Sequence, residues 1–130
     1  MRILIVDDNE PVRRGVFHLL TSETNWQVCG EASDGEEAVQ RARVLHPDLI
    51  LLDISMPRLN GLEVARLLRR EIPRAKILIM SQHDSVQLLP QAIQAGAQGC
   101  VDKGRLFSDL IPHIKRIMTA FRADNPSNPG

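Results

Sequence analysis

This chain has no block of like charges, no long apolar run and no cysteine pair, and each absence removes a class of function. Its 16 basic and 16 acidic residues cancel and are interspersed, so the basic face expected of a nucleic-acid binder is missing. No apolar stretch approaches the roughly 18 residues needed to cross a bilayer. A strand-like run begins two residues after Met1, which leaves no room for a secretory leader. Cys29 and Cys100 lack metal-ligand spacing and read as buried thiols in a reducing cytoplasm. A length of 130 residues suits one domain with a substantial core rather than two. There is no internal repeat and no low-complexity segment. A cytoplasmic single domain without membrane contact is the expectation.

What the chain does have is alternation. Ile3–Val6, Leu49–Leu52 and Lys76–Met80 are short apolar runs that read as buried strands. Trp26–Cys29 and Gly99–Val101 are weaker strands. Between them lie five helix patterns. Pro11 suits a first turn ahead of Val12, Val16, Leu19 and Leu20. Ser33 and Glu36 form a capping-box pattern before Ala38, Ala42 and Leu45. Asn60 and Glu63 open a third helix, and a fourth runs from about Ser85 to Ala95 and stops at Gly96. The fifth carries Leu110, Ile114, Ile117, Met118 and Phe121. Five βα units predict an α/β fold, a doubly wound five-stranded parallel sheet with right-handed crossovers. The expected strand order is 2-1-3-4-5, the flavodoxin and CheY-like arrangement, which places a ligand crevice between strands 1 and 3.

Those two strands end in acids: Asp7 and Asp8 on the first, Asp53 on the third. Carboxylates gathered at one sheet edge need a counterion, and a hard, oxygen-liganded cation such as Mg²⁺ answers that need. Taken singly, each acid also suits a helix cap. Ser81 follows strand 4 and Lys103 follows strand 5, so both feed the same crevice. Alone, that serine reads as a cap and that lysine as a solvated surface group. Acids, a hydroxyl and an ammonium together suit phosphoryl chemistry, in which cations neutralise the equatorial oxygens while a carboxylate attacks in line. Asp53 stands alone on the central strand and is the candidate nucleophile.

On these residues the chain resembles a bacterial two-component response-regulator receiver domain over residues 1–121. The matching pieces are Val6-Asp7-Asp8, Asp53 with Met56-Pro57 and Gly61, Ser81, Ala95-Gly96-Ala97 and Lys103. The Ile77–Asp84 segment and the Ala-Gly-Ala turn resemble receivers of LuxR/NarL-type regulators. The resemblance implies that Asp53 accepts a phosphoryl group from a phosphohistidine on a sensor histidine kinase. It implies Mg²⁺ held by Asp8, Asp53 and the backbone carbonyl of Ser55, with Asp7 acting through water. Lys103 would pair with the acids and then with the phosphoryl group, and Ser81 would report the modification. Ser55 and His83 would flank the hydrolytic water, with His83 alternatively a plain surface residue. The output face would be the fourth helix, fifth strand and fifth helix, used to control transcription. Such a domain acts on itself and turns over no external substrate.

The chain also departs from that pattern. Cys100 stands where the family usually carries an aromatic switch residue, and the chain has no tyrosine. Asp102 precedes Lys103, and Gly104 follows where many receivers have proline. Asp102 either competes for the lysine or points to solvent; strand alternation favours solvent. Pro90 and Pro112 fall in the fourth and fifth helices, so the fourth is expected to be short or kinked at Leu89, or to begin late. These changes suggest normal phosphorylation with an altered route of signal transmission.

Residues 122–130 form a linker-like tail, with no room for a DNA-binding output domain. A stand-alone receiver and a trimmed regulator both fit. Contact with DNA would therefore require an output domain outside this chain. Homodimerisation through the fourth and fifth helices or the first is compatible with the sequence. Three other readings compete. A small Mg²⁺ phosphatase would need an acid two residues past the nucleophile, where Ser55 stands. A flavin-binding protein would need a phosphate loop after strand 1, where this chain has Asp7-Asp8-Asn9-Glu10-Pro11. A degenerate receiver would bind partners without phosphorylation.

Overall fold

The computed structural model describes residues 1–56, 60–82 and 85–123, the last four by backbone alone. Pro57, His83 and Asp84 of the sequence motifs, and residues 124–130, lie outside the described residues.

Five strands, β1 (Arg2–Val6), β2 (Gln27–Ala32), β3 (Leu49–Asp53), β4 (Lys76–Ser81) and β5 (Gly99–Asp102), form one parallel sheet in the order β2-β1-β3-β4-β5. Five α-helices alternate with them: α1 (Glu10–Glu23), α2 (Gly35–Leu45), α3 (Gly61–Glu71), α4 (Ser85–Gln94) and α5 (Leu106–Ala123). The expected α/β topology is therefore the observed one.

Strand alternation divides the core in two. Leu4, Val6, Ile50, Leu52, Ile77, Ile79 and Cys100 pack with α2, α3 and α4. Ile3, Ile5, Leu49, Leu51, Leu78, Met80 and Val101 pack with α1 and α5. Asp7 and Asp53 continue the second set along β1 and β3, so their side chains leave the sheet on the α1–α5 face.

β2 was the least legible strand. It starts one residue later than the apolar signal and runs on through Gly30 and Glu31. Its register against β1 shifts between Ile3 and Leu4, which leaves Cys29 as the extra residue. That thiol is half-buried rather than buried and contacts the Ile3 carbonyl at 3.4 Å.

The α2 cap is also displaced by one residue. Asp34, not Ser33, is the N-cap and accepts the Glu37 N–H at 2.8 Å, while Ser33 Oγ donates to the Glu37 carboxylate. An aspartate next to a serine offers the stronger acceptor at the positive end of the helix. Asn60 caps α3 as expected, through Oδ1 to the Leu62 N–H at 2.9 Å.

α4 begins at Ser85 and runs ten residues through Pro90, so the proline is interior and the late start is excluded. It closes on Gly96 at φ +99°, with Ala97 N–H to the Ala92 carbonyl and Gly96 N–H to the Ile93 carbonyl. That pairing is a Schellman motif. α5 likewise passes through Pro112 as its seventh residue and continues to Ala123.

Candidate functional site

β1 and β3 are neighbours and both point their C-terminal ends at the same sheet edge, so the acids that end them meet there. Asp7 and Asp53 are buried and Asp8 is exposed. One carboxylate oxygen from each lies within 4.8 Å of the others. None of the three is a helix cap. Asn9 caps α1 through Oδ1 to the Val12 N–H, and Asn60 caps α3. The capping alternative for these acids therefore falls.

Each buried acid is held by the turn that follows it. Asp7 Oδ1 accepts the Asn9 N–H at 2.8 Å, and Asp53 Oδ1 accepts the Ser55 N–H at 2.9 Å. Their other oxygens face Lys103. Its ammonium lies 2.7 Å from Asp7 Oδ2 and 3.1 Å from Asp53 Oδ2, and its side chain is only 8% exposed. Burial raises the Asp53 carboxyl above its ordinary pKa. The Ser55 N–H opposes that rise, the Asp7 charge adds to it and Lys103 opposes it. Burial works against the Lys103 ammonium, but its hydrogen bond and ion pair with Asp7, then those with Asp53, outweigh it and raise its pKa.

Three carboxylates against one ammonium leave an excess of negative charge at a partly buried site. The donors are all oxygens, and they are close enough to share one ion. A divalent hard cation fits both the charge and the donor set.

The structure brings Asp7, Asp8, Asp53, Ser55 and Lys103 together. Ser81 is buried at the end of β4, one residue past Met80, the register partner of Asp53. Cys100 is buried on the α4 side, and its thiol is pushed up to about 11 by burial and then by the charge of Asp102. His83 lies outside the described residues.

Two features escaped sequence reasoning. Arg13 Nη1 donates to the Asp7 backbone carbonyl at 2.6 Å, and its Nε meets Glu31 at 3.2 Å. Arg13 thereby fixes the chain that presents Asp7. Its target is a backbone carbonyl, which leaves no signal in the sequence. The second is Asp102, which does not pair with Lys103: it is half-buried and its Oδ1 accepts the Ser85 N–H at 3.0 Å. Alternation turned it away from the lysine as expected, but that face of the sheet is occupied by α4.

Known proteins are similar to this chain. Response regulator GacA of Pseudomonas viridiflava is 34% identical over 126 residues, which is 97% of this chain and 59% of that protein. The transcriptional regulatory protein DegU of Brevibacillus brevis is 36% identical over 90% of this chain and 50% of its own length. This chain thus spans about half the length of those curated relatives. Among solved structures, a LuxR-family two-component response regulator from Aurantimonas sp. SI85-9A1 matches with a TM-score of 0.85 at 33% identity. That match covers 92% of this chain and 85% of the other. No helix among the described residues is long and apolar enough to cross a membrane. The family described as response regulator receiver domain matches residues 3–115, a span that contains both acid-bearing strands, Ser81 and Lys103, and the chain belongs to that family.

Proposed function

We propose that this domain is a phosphorylation-activated switch in which Asp53 accepts a phosphoryl group from a phosphohistidine on a sensor histidine kinase. The observation that carries this reading is the pairing of a buried carboxylate at the end of the central strand with a buried ammonium 3.1 Å away, beside two further acids.

An oxygen of Asp53 attacks phosphorus in line. The new O–P bond forms as the P–N bond breaks, and that electron pair leaves with the imidazole nitrogen. Burial leaves the Asp53 carboxylate poorly solvated, so little water has to be shed before attack. Lys103, already within 3.1 Å of Asp53, meets the incoming negative charge. Asp8, Asp53 and the Ser55 carbonyl would hold Mg²⁺, with Asp7 acting through water, and the bound ion would neutralise charge on the phosphoryl oxygens. Ser81 donates its hydroxyl to a phosphoryl oxygen, and Ser55 borders the path of the hydrolytic water.

Hydrolysis of the acyl phosphate resets the switch, so the domain acts on itself alone. The readout surface is α4–β5–α5. By analogy with the longer regulators it matches, the output is control of transcription in the cytoplasm, exerted through a further domain.

Intact mass after incubation with acetyl phosphate tests this. A gain of one phosphoryl group that requires Mg²⁺ and is lost in Asp53→Asn is expected. A wild type that gains nothing from acetyl phosphate or from a phosphorylated kinase overturns it in favour of a phosphorylation-independent interaction module.

A further inference from the structure

Ser81, Cys100 and Asp102 share one face of the sheet. Ile77, Ile79 and Cys100 pack on the α4 side, and alternation places Ser81 and Asp102 on that side too. Ser81 and Asp102 are also register partners, the last rung of the β4–β5 ladder. From that rung the Asp102 carboxylate reaches across 17 positions to the backbone N–H of Ser85, the first residue of α4. The next residue, Lys103, turns the other way and grips Asp7 and Asp53. Two consecutive residues thus hold the acid site and the start of α4.

The Asp102–Ser85 bond meets α4 at its N-terminus. The first four N–H groups of any helix have no acceptor within it, and Pro90, sixth of its ten residues, has no N–H at all. The first-turn N–H groups need acceptors from outside the helix, and a carboxylate there also suits the helix dipole. The C-terminal end is secured separately: Arg69 Nε donates to the Gly96 carbonyl at 3.0 Å, and Arg69 Nη2 to Gln98 Oε1 at 3.1 Å. Among the described residues, the bond that ties α4 to the end of β5 is in its first turn.

We propose that Asp102 is a positioning residue that couples the acid site to α4, acting through Lys103 and Ser81 without touching the acids. The inference rests on the phosphoryl-acceptor reading and goes beyond it. A phosphoryl group on Asp53 competes with Asp7 for Lys103 and draws the end of β5 with it. The Asp102–Ser85 hydrogen bond is then strained and α4 loosens from its N-terminus. Cys100, buried on the same face, has neither a ring nor a hydroxyl with which to carry that message.

Amide hydrogen exchange over residues 85–94 tests the coupling in the wild type, Asp102→Ala and Asp102→Asn. Each is measured alone and with Mg²⁺ plus beryllofluoride as the phosphoryl mimic. In the wild type, protection of the first turn falls about five-fold when the mimic binds, the size expected for losing one cap. Asp102→Ala begins at that lower protection and changes little with the mimic. Asp102→Asn, whose amide oxygen accepts the same bond, restores both behaviours. An alanine variant that matches the wild type in both states overturns the proposal, and so does an asparagine variant that fails like alanine. Uptake from acetyl phosphate is read separately by intact mass. Uptake with a flat α4 response overturns the coupling alone, whereas absence of uptake in the wild type overturns the acceptor reading and the coupling with it.

Discussion

The ammonium of Lys103 lies 2.7 Å from Asp7 Oδ2, nearer than the 3.1 Å that separates it from Asp53 Oδ2. At rest the cation is shared and leans toward Asp7. Removing it strands two buried carboxylates, and breaking one side of a buried ion pair costs about 3 kcal/mol or more. Lys103→Met is therefore expected to unfold at markedly lower urea. Mg²⁺ should recover part of the loss, because a cation that binds only the native site stabilises it by mass action. Urea titrations with and without Mg²⁺ check this; a variant as stable as the wild type without the metal contradicts it.

Asp53 gives a prediction with a definite sign. Its pKa is raised in the folded state, chiefly by burial. At neutral pH the native chain thus carries a charge that the unfolded chain bears more easily, and this costs stability. As pH falls through the folded pKa toward the ordinary aspartate range, the native state takes up its proton first and the penalty disappears. Asp53→Asn has no such penalty. It is expected to be more stable than the wild type at pH 7, with the gap closing on acidification. Paired melts from pH 7 to pH 4 measure it, and a gap that widens as pH falls refutes the assignment.

The sequence yields the sheet most readily where burial is complete. Every residue of β3 is buried and reads as an unbroken apolar run ending in Asp53. β2 pairs with a strand on one side only, and all but its last residue are partly or fully exposed. Gln27, Gly30 and Glu31 carry no strand signal for that reason. The site follows the same logic. Asp7, Asp53, Ser81 and Lys103 announce themselves by ending strands, since topology alone brings strand ends together. Arg13 and Asp102 do not, because each acts through a backbone group of a residue distant in the chain or chosen by packing. The Arg13 target is the Asp7 carbonyl, and the Asp102 target is the Ser85 N–H. Backbone acceptors and donors have no sequence signature.

Gly61 packs closely against Ile54, the residue that follows Asp53. A Cβ on it would lie 2.5 Å from Ile54 Cα and 2.9 Å from the Ile54 carbonyl oxygen, and backbone cannot swing aside. Gly61→Ala must push Ile54 outward, and Ser55, whose N–H holds Asp53 Oδ1 at 2.9 Å, moves with it. A loss of about 2 kcal/mol is expected from overpacking, together with slower phosphoryl uptake from acetyl phosphate. Uptake at the wild-type rate despite the destabilisation would show that the loop relaxes without disturbing Asp53.

Cys100 and Cys29 provide an internal comparison. Burial, aided by the Asp102 charge, pushes the Cys100 thiol up to about 11 from an ordinary 9.0, whereas Cys29 is only half-buried. Iodoacetamide at pH 8 should therefore modify Cys29 first, since the thiolate is the nucleophile and must be reachable. The same shift makes a stability claim. Between pH 9 and pH 11 the unfolded chain loses the Cys100 proton while the folded chain keeps it, so stability falls as pH rises. Up to about 2 kcal/mol is lost across that window. Lys103 adds a later loss, because its ammonium, raised in the folded state, protects the fold until pH passes through its own folded pKa. Cys100→Ala separates the two. It starts less stable at neutral pH because a packed sulfur is gone, yet it should decline less between pH 9 and pH 11. Parallel curves for the two proteins across that window would place the alkaline loss on Lys103 rather than on the thiol.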